Sequence, residues 1–68
     1  MAGIYKKIEI VGTSPVSFAE ATKAGIAQAS KTIRHIDWFE VVEMRGRVKD
    51  GAVAEFQVTL KVGFKLEG

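Results

Sequence analysis

The stretch Val53–Lys65, VAEFQVTLKVGFK, decides the fold of this chain. Apolar side chains occupy the even positions from Ala54 to Phe64, and mostly polar side chains occupy the odd positions between them. A period of two is typical of a β-strand that places one face on a core. At about 3.4 Å per residue, this strand would be about 40 Å long. The pattern therefore predicts a long, half-buried strand near the end of the chain.

A second long strand is predicted just before it. Lys49-Asp50-Gly51 predicts a hairpin turn, because Asp-Gly supplies the positive φ angles that tight hairpins require. The preceding strand, Trp38–Val48, has apolar residues of both parities: Trp38, Val42, Met44 and Val48 of one, and Phe39 and Val41 of the other. This irregularity indicates a bend or bulge, or burial on both faces.

The first third of the chain predicts a strand and then a helix. Ile4–Gly12 alternates as a strand, and Gly12–Pro15 is predicted to break it. Two helix starts remain open: Ser14 as N-cap before Pro15, or Ser17 and Glu20 as a capping box. The helix has a stripe of mostly small residues at helical spacing, which is Phe18, Ala21, Thr22, Gly25, Ile26, Ala29 and Ile33. The helical pattern ends at or just before Asp37.

These elements predict one α+β domain over residues 1–68, with the order β-α-β-β and a three-stranded antiparallel sheet carrying one helix. A helix of about 15 residues spans about 22 Å and cannot cover strands of this length. The chain has no cysteine, yet 47% of its residues are apolar. A domain this small often needs additional stabilisation, so we expect apolar sheet surface and open sheet edges to meet other subunits.

Composition argues against several classes of function. The net charge is +2, and basic residues are interleaved with acidic ones, so we expect no nucleic-acid partner. No apolar run approaches 18 residues, so we expect no membrane span. The N-terminal residues lack the pattern of a signal peptide, which makes a cytoplasmic location the expectation.

Few residues suggest catalysis or metal binding. His35 is the single histidine and is interpreted as a surface residue near the helix C-terminus. Glu40 and Glu43 have opposite parity on a strand, which argues against a paired-carboxylate site. The turn Gly12–Ser14 precedes a helix and is a weak candidate for holding a phosphate, although it lacks the Walker and dinucleotide-binding patterns.

Three residues carry a more specific hypothesis. Each has a plain structural interpretation. Trp38 would be a core or interface anchor, and Gln57 an exposed strand residue. Arg45 would form an ion pair across the strands. Together, an aromatic platform, an amide and a guanidinium suit a flat heteroaromatic ligand with an anionic tail. The residues alone leave both interpretations open.

Three blocks of the chain resemble the dodecins, a family of small flavin-binding proteins. They are Tyr5–Ser14 (YKKIEIVGTS), Arg34–Val41 (RHIDWFEV) and Phe56–Glu67 (FQVTLKVGFKLE), and the resemblance covers essentially the whole chain. It implies a sheet that wraps around the helix and a hollow homododecamer. It also implies a binding protein with a storage role, not an enzyme.

The resemblance implies roles for individual residues. Trp38 matches the tryptophan that stacks on flavin, with pairs of flavins held between tryptophans of two subunits. Gln57 matches the residue that hydrogen-bonds the polar edge of the flavin ring. Arg45 matches a position near the ligand that is arginine in bacterial-type members, a type that looks suited to FMN with its phosphate. Riboflavin and FAD are the other flavins that the resemblance allows. Lys6, Lys7 and Lys65 are further basic candidates for ligand contact.

An alternative remains beside flavin storage and quenching. Some bacterial members of the family also bind coenzyme A, so the chain could form a structural or coenzyme A-binding oligomer without physiological flavin binding. The resemblance assigns no residues to coenzyme A. A small flavoenzyme is disfavoured because the sequence offers no residue for turnover.

Overall fold

The computed structural model describes residues 3–66 and confirms the predicted order of elements. The elements are β1 (Tyr5–Ser14), α1 (Phe18–Ala29), β2 (Ile36–Lys49) and β3 (Ala52–Lys65). They form one three-stranded antiparallel sheet in the order β1-β3-β2. The predicted domain over 1–68 also includes residues 1, 2, 67 and 68, which lie outside the described residues.

The central strand of the sheet is β3, whose alternation is as predicted. Val58, Leu60 and Val62 are at most 1% exposed, and both edges of β3 are paired with neighbouring strands. The side chains between them lie on the opposite face of the sheet. The long alternating stretch is therefore the centre of the fold, because it supplies the largest fully buried side chains of the described residues.

The first strand extends further than the sequence predicts. Gly12 was expected to break it, yet β1 continues to Ser14, and Gly12 pairs with Val58 inside the sheet. The glycine serves close packing here and not a turn, because a Cβ atom at Gly12 would overlap the carbonyl oxygen of Ala21. The chain turns after Ser14, whose Oγ accepts a hydrogen bond of 3.0 Å from the amide of Val16.

The helix begins at the second of the two predicted starts. Ser17 is the N-cap, and its Oγ accepts a 3.0 Å hydrogen bond from the amide of Glu20. The Glu20 carboxylate pairs with Lys23 at 3.2 Å. The helix ends at Ala29, several residues before the predicted limit, and Ser30 is its C-cap.

The core lies between α1 and the strands β1 and β3. Ala21, Val58 and Leu60 form its buried centre, and Phe18 packs edge-on against Phe56 with ring centroids 4.9 Å apart. The small-residue stripe lies on this contact as predicted, with Ala21, Gly25 and Ala29 buried. Small side chains let the helix approach the sheet closely.

The strand β2 lies outside this core. Its residues are exposed apart from the half-buried Ile36, and Phe39, Val41 and Met44 are 49%, 50% and 54% exposed. These three residues pair with or flank the buried positions of β3, so they lie on the same face as the helix but beyond its reach. We call them the β2 apolar stripe. As predicted, a single helix leaves part of the sheet uncovered.

Two local features of the hairpin also agree with the sequence. Asp50 and Gly51 form the two-residue turn with φ angles of 52° and 77°, as the Asp-Gly pair predicts. The imperfect alternation of β2 reflects register shifts, one of them between Val41 and Glu43. Val42 is the extra residue at this bulge, so the residues after it have the opposite parity relative to the sheet.

Candidate ligand-binding site

The three candidate residues lie on the face of the sheet that points away from α1, which we call the outer face. Trp38 is opposite Gly63 of β3, and Arg45 is opposite Gln57. Gly63 and Gln57 are odd-numbered, whereas the residues of β3 buried under the helix are even-numbered. Directly paired residues project on the same side of a sheet. Trp38, Arg45 and Gln57 therefore share the outer face.

The bulge at Val42 is what allows this arrangement. Trp38 and Arg45 have opposite parity in the sequence, and a regular strand would place them on opposite faces. For the same reason, the prediction that Glu40 and Glu43 lie on opposite faces is wrong, because they pair with Lys61 and Thr59 of the outer face. An extra residue in β2 realigns the strand after Val41.

The indole of Trp38 lies directly on the backbone of Gly63. A Cβ atom at Gly63 would overlap indole atoms Cε2, Cζ2 and Cδ2, so only glycine leaves room for the ring. The ring of Tyr5 lies beside it, with centroids 5.5 Å apart and planes inclined by 59°. Trp38 nonetheless keeps 36% of its surface exposed. The result is an aromatic platform that is supported from below and accessible from outside.

Two charged residues hold the polar edge of this platform. Trp38 Nε1 donates a 3.0 Å hydrogen bond to Glu40 Oε2, and Lys7 Nζ lies 3.2 Å from both carboxylate oxygens of Glu40. The indole N–H and the Lys7 ammonium favour the ionised carboxylate, and they hold the pKa of Glu40 below its ordinary value of 4.5. Glu40 is therefore an anion at neutral pH.

Arg45 and Gln57 form a second polar cluster on the outer face, apart from Glu40 and Lys7. They are direct partners across the β2–β3 pair. Gln57 Nε2 donates a 2.8 Å hydrogen bond to Glu55 Oε1, and Arg47 Nε lies 3.6 Å from the same oxygen. A cross-strand ion pair of the kind that was expected at Arg45 is made by Arg47 with Glu55. Arg45 and Gln57 thus offer a guanidinium and an amide at neighbouring positions.

The platform and the Arg45–Gln57 pair do not meet within one chain. Gln57 lies six positions from Gly63 along β3, which corresponds to about 20 Å at ~3.3 Å per residue. The structure therefore brings Arg45 and Gln57 together and leaves Trp38 separate from both.

The residues that surround the tryptophan are not evident from the sequence alone. Tyr5, Glu40 and Gly63 were not singled out as neighbours of Trp38, and Lys7 was noted only as a possible ligand contact. The signal was present in the register, since Lys7, Gly63 and Trp38 lie in one row across the three strands. That row depends on strand order, which local patterns do not specify.

The other candidates from the sequence are the Gly12–Ser14 turn and His35. Gly12–Ser14 is strand and not the loop that a phosphate cradle requires, so that weak alternative is wrong. His35 is exposed after the helix, with a φ angle of 61°. Residues 3–66 contain no group of three or more side chains suited to holding a metal ion. Within the same residues, no helix has the length and apolar character needed to span a membrane.

Comparison with known proteins decides the family. The family model described as Dodecin matches residues 4–67. The chain belongs to the dodecin family. It is 52% identical over 67 residues to a dodecin of Thermus thermophilus, covering 98% of this chain and 97% of the relative. The predicted family resemblance is thereby confirmed.

Solved dodecin structures confirm the fold. The dodecin from Streptomyces davaonensis matches with a TM-score of 0.96 and 48% identity, over 100% of both chains. The dodecin from Streptomyces coelicolor matches with a TM-score of 0.94 and 47% identity, over 97% of this chain and 94% of that one. Dodecins are in general small flavin-binding proteins that self-assemble, and they are known as binding proteins and not as enzymes.

One relative has a different descriptive name. A protein of Mycobacterium tuberculosis called calcium dodecin is 30% identical over 63 residues, covering 93% of this chain and 89% of the relative. The calcium in this name refers to the Mycobacterium tuberculosis protein.

Proposed function

We propose that this protein is a non-enzymatic flavin store that binds FMN in pairs at the interfaces of a homododecamer. The observation that carries the proposal is the indole of Trp38, which packs against the backbone of Gly63 and remains accessible on the outer face. A fixed, exposed aromatic plane is suited to stacking on another flat ring. Riboflavin and FAD share that ring and are alternative ligands.

The polar groups of the site are proposed to come from a second subunit. Gln57 offers both donors and acceptors to the polar edge of a flavin ring, and Arg45 beside it suits an anionic tail such as the FMN phosphate. Because this pair lies about 20 Å from the Trp38 row, a ring stacked on one Trp38 would reach the Gln57 of another subunit. A site built in this way is complete only in the oligomer.

The surface of one chain supports self-assembly. The β2 apolar stripe, Phe39, Val41 and Met44, is about half exposed, and β2 is an edge strand of the sheet. Exposed apolar residues in a row on a sheet edge favour contact with another chain. We propose that this contact is made with further copies, twelve in all, as the family implies.

Stacking on Trp38 also explains how the protein would protect its ligand. The indole is electron-rich, and when it is in contact with a photoexcited flavin it can donate an electron and take it back. The excitation energy is then lost as heat, with no net chemical change. Storage with quenching therefore requires contact and orientation but no acid–base pair.

The test is a titration of the apoprotein with FMN, followed by flavin fluorescence. We expect strong quenching by the wild-type protein, and we expect Trp38→Ala to lose most of it, since stacking is removed. Native mass spectrometry of the same samples checks that the variant still assembles. Undiminished quenching by an assembled Trp38→Ala variant would remove Trp38 from the site.

The same mass spectra separate flavin storage from its alternative. Protein purified from cells should carry a mass increment matching FMN, riboflavin or FAD on a twelve-subunit particle. A particle that carries coenzyme A alone and does not quench added FMN would favour the structural or coenzyme A-binding alternative.

A further inference from the structure

On the outer face, Trp38, Glu40 and Lys7 are joined by hydrogen bonds. Stacking of a flavin on Trp38 does not by itself require the last two residues. Glu40 accepts the indole N–H at 3.0 Å, and Lys7 contacts both oxygens of the same carboxylate at 3.2 Å. Lys7 belongs to β1 and Glu40 to β2, so the contact crosses the central strand and links the two edges of the sheet.

The geometry restricts the indole in two independent ways. Contact with Gly63 restricts the plane of the ring, but a half-turn about the Cβ–Cγ bond would return the ring to nearly the same plane with its N–H on the other side. The bond from Nε1 to Glu40 selects one of these two orientations, because the N–H must point at a fixed carboxylate. Lys7 fixes the carboxylate in turn, since it occupies both oxygens. A ring held in both respects presents a single orientation to a stacking ligand.

The charge of Glu40 acts on the indole as well. An ionised acceptor forms a stronger hydrogen bond than a neutral one, and a negative charge beside Nε1 favours any positive charge that develops on the ring. Loss of an electron from Trp38 leaves such a positive charge. The carboxylate therefore lowers the free-energy cost of electron donation by the indole.

We propose that Glu40, held by Lys7, is a positioning residue that fixes the orientation of Trp38 and makes its indole a better electron donor. This inference rests on the proposed function, in which Trp38 stacks on flavin and quenches it. In the quenching step one electron leaves the indole for the excited ligand and returns to it, while the proton stays on Nε1. The depressed pKa of Glu40 agrees with this, because it makes the carboxylate a weak base.

The first test uses the apoprotein, so it does not depend on flavin. The chain has one tryptophan, so a single indole N–H resonance reports on the site without ambiguity. Glu40→Gln keeps an acceptor but removes the charge, and we expect a clear upfield shift of this resonance in ¹H–¹⁵N spectra. We also expect one-electron oxidation of Trp38 by a dissolved photo-oxidant to slow severalfold. Lys7→Met keeps the charge of Glu40 but no longer holds the carboxylate in place, so we expect the indole resonance to broaden without the slowing of oxidation seen in Glu40→Gln.

The matched control is Glu43→Gln. Glu43 lies on the same strand and the same outer face, so the change in charge is identical, but the described contacts of Trp38 do not include it. We expect this variant to keep the wild-type indole resonance and oxidation rate. With FMN bound, the excited-state lifetime of the ligand should lengthen severalfold in Glu40→Gln and stay unchanged in Glu43→Gln.

The outcomes separate this inference from the proposed function. A wild-type indole resonance and oxidation rate in a folded Glu40→Gln protein overturns the role of Glu40, whether or not flavin binds. Equal effects of Glu40→Gln and Glu43→Gln also overturn it, because a general change of charge would then be sufficient. Failure of the wild-type protein to bind FMN overturns the proposed function and leaves the apoprotein result as a separate test.

Discussion

At the scale of single residues, the candidate site depends on the glycine at position 63 as much as on Trp38. Gly63 is buried in the central strand, and its missing Cβ is what allows the Trp38 indole to lie on the backbone. Glycine within a strand normally weakens it and often marks a close approach of another group. Here that group is the aromatic ring, so the platform consists of both residues.

Gly63→Ala should disrupt the platform while leaving the strand paired. The added methyl group overlaps the indole, which must move off the backbone, and we expect FMN affinity to fall about tenfold, or ~1.4 kcal/mol. Fluorescence titration measures the loss. In a Trp38→Ala background, thermal unfolding should show little further cost of Gly63→Ala, because the clash has been removed. A large cost in that background would mean that the glycine has another role.

The Glu40 carboxylate gives the site a predictable dependence on pH. Its pKa is lowered by the Trp38 hydrogen bond and by Lys7, with Lys61 on β3 acting in the same direction. Its stabilising interactions are therefore complete at pH values above 4.5 and are lost as the pH falls through the lower folded-state pKa. The neighbouring Glu9, which pairs with Lys61, faces the same region.

We expect the indole N–H resonance of the apoprotein to titrate with a midpoint below 4.5. Spectra recorded over an acid pH series provide the measurement, and Glu40→Gln should lose this titration. A midpoint at or above that value would show that the Trp38 and Lys7 contacts do not stabilise the ionised carboxylate.

At the scale of secondary-structure elements, the main determinants are a close helix–sheet contact and one bulge. Gly12 of β1 and Gly25 of α1 face each other, and a Cβ at Gly25 would lie 3.3 Å from the Gly12 Cα. The helix therefore packs backbone to backbone on β1. The bulge at Val42 sets the orientation of everything after it in β2, including Arg45.

Gly12→Ala should destabilise the protein because its methyl group meets the Ala21 carbonyl, which is backbone and cannot move alone. Overpacking of this kind costs about 1–3 kcal/mol. Thr13→Ala, on the opposite exposed face of the same strand, should stay within about 0.5 kcal/mol. Chemical denaturation under conditions that keep the oligomeric state equal measures both values. Equal stability of Gly12→Ala and the wild type would contradict the close contact.

At the scale of the whole molecule, the single chain is elongated and leaves part of its apolar sheet surface uncovered. It measures 53 × 20 × 13 Å, and its helix covers β1 and β3 but not β2. The β2 apolar stripe and the separated halves of the candidate site both indicate that the chain functions with other copies. In the assembly that we propose, other subunits cover the stripe, and Trp38 of one subunit lies near the Gln57 of another.

Val41→Asp should prevent or weaken assembly. A charge in the middle of the β2 apolar stripe would be buried against another subunit, at a cost of several kcal/mol. Native mass spectrometry or size-exclusion chromatography should show smaller particles. Val16→Asp is the matched control, because Val16 is 69% exposed in the loop before α1 and lies outside the stripe. Full assembly of Val41→Asp would exclude the stripe from the interface.

The sequence predicted most of the fold because its local patterns are strong and mutually consistent. The alternation of Val53–Lys65, the Asp50-Gly51 turn and the small-residue helix stripe each depend on nearby residues only. The predictions from the sequence were wrong where tertiary packing overrides local preference. Gly12 looked like a breaker because glycine is common in turns, but in the fold it is the point at which the helix approaches the strand.

The site itself is where the sequence alone was insufficient. Family resemblance supplied Trp38, Gln57 and Arg45 as expectations, and the sequence by itself determined the strands that carry them. Only the tertiary structure decided that Lys7, Gly63 and Trp38 share one row and that a bulge places Trp38 and Arg45 on one face. The physical reason is that periodicity records which way a side chain points along its own strand. Strand order and register depend on hydrogen bonds and packing between residues that are distant in sequence.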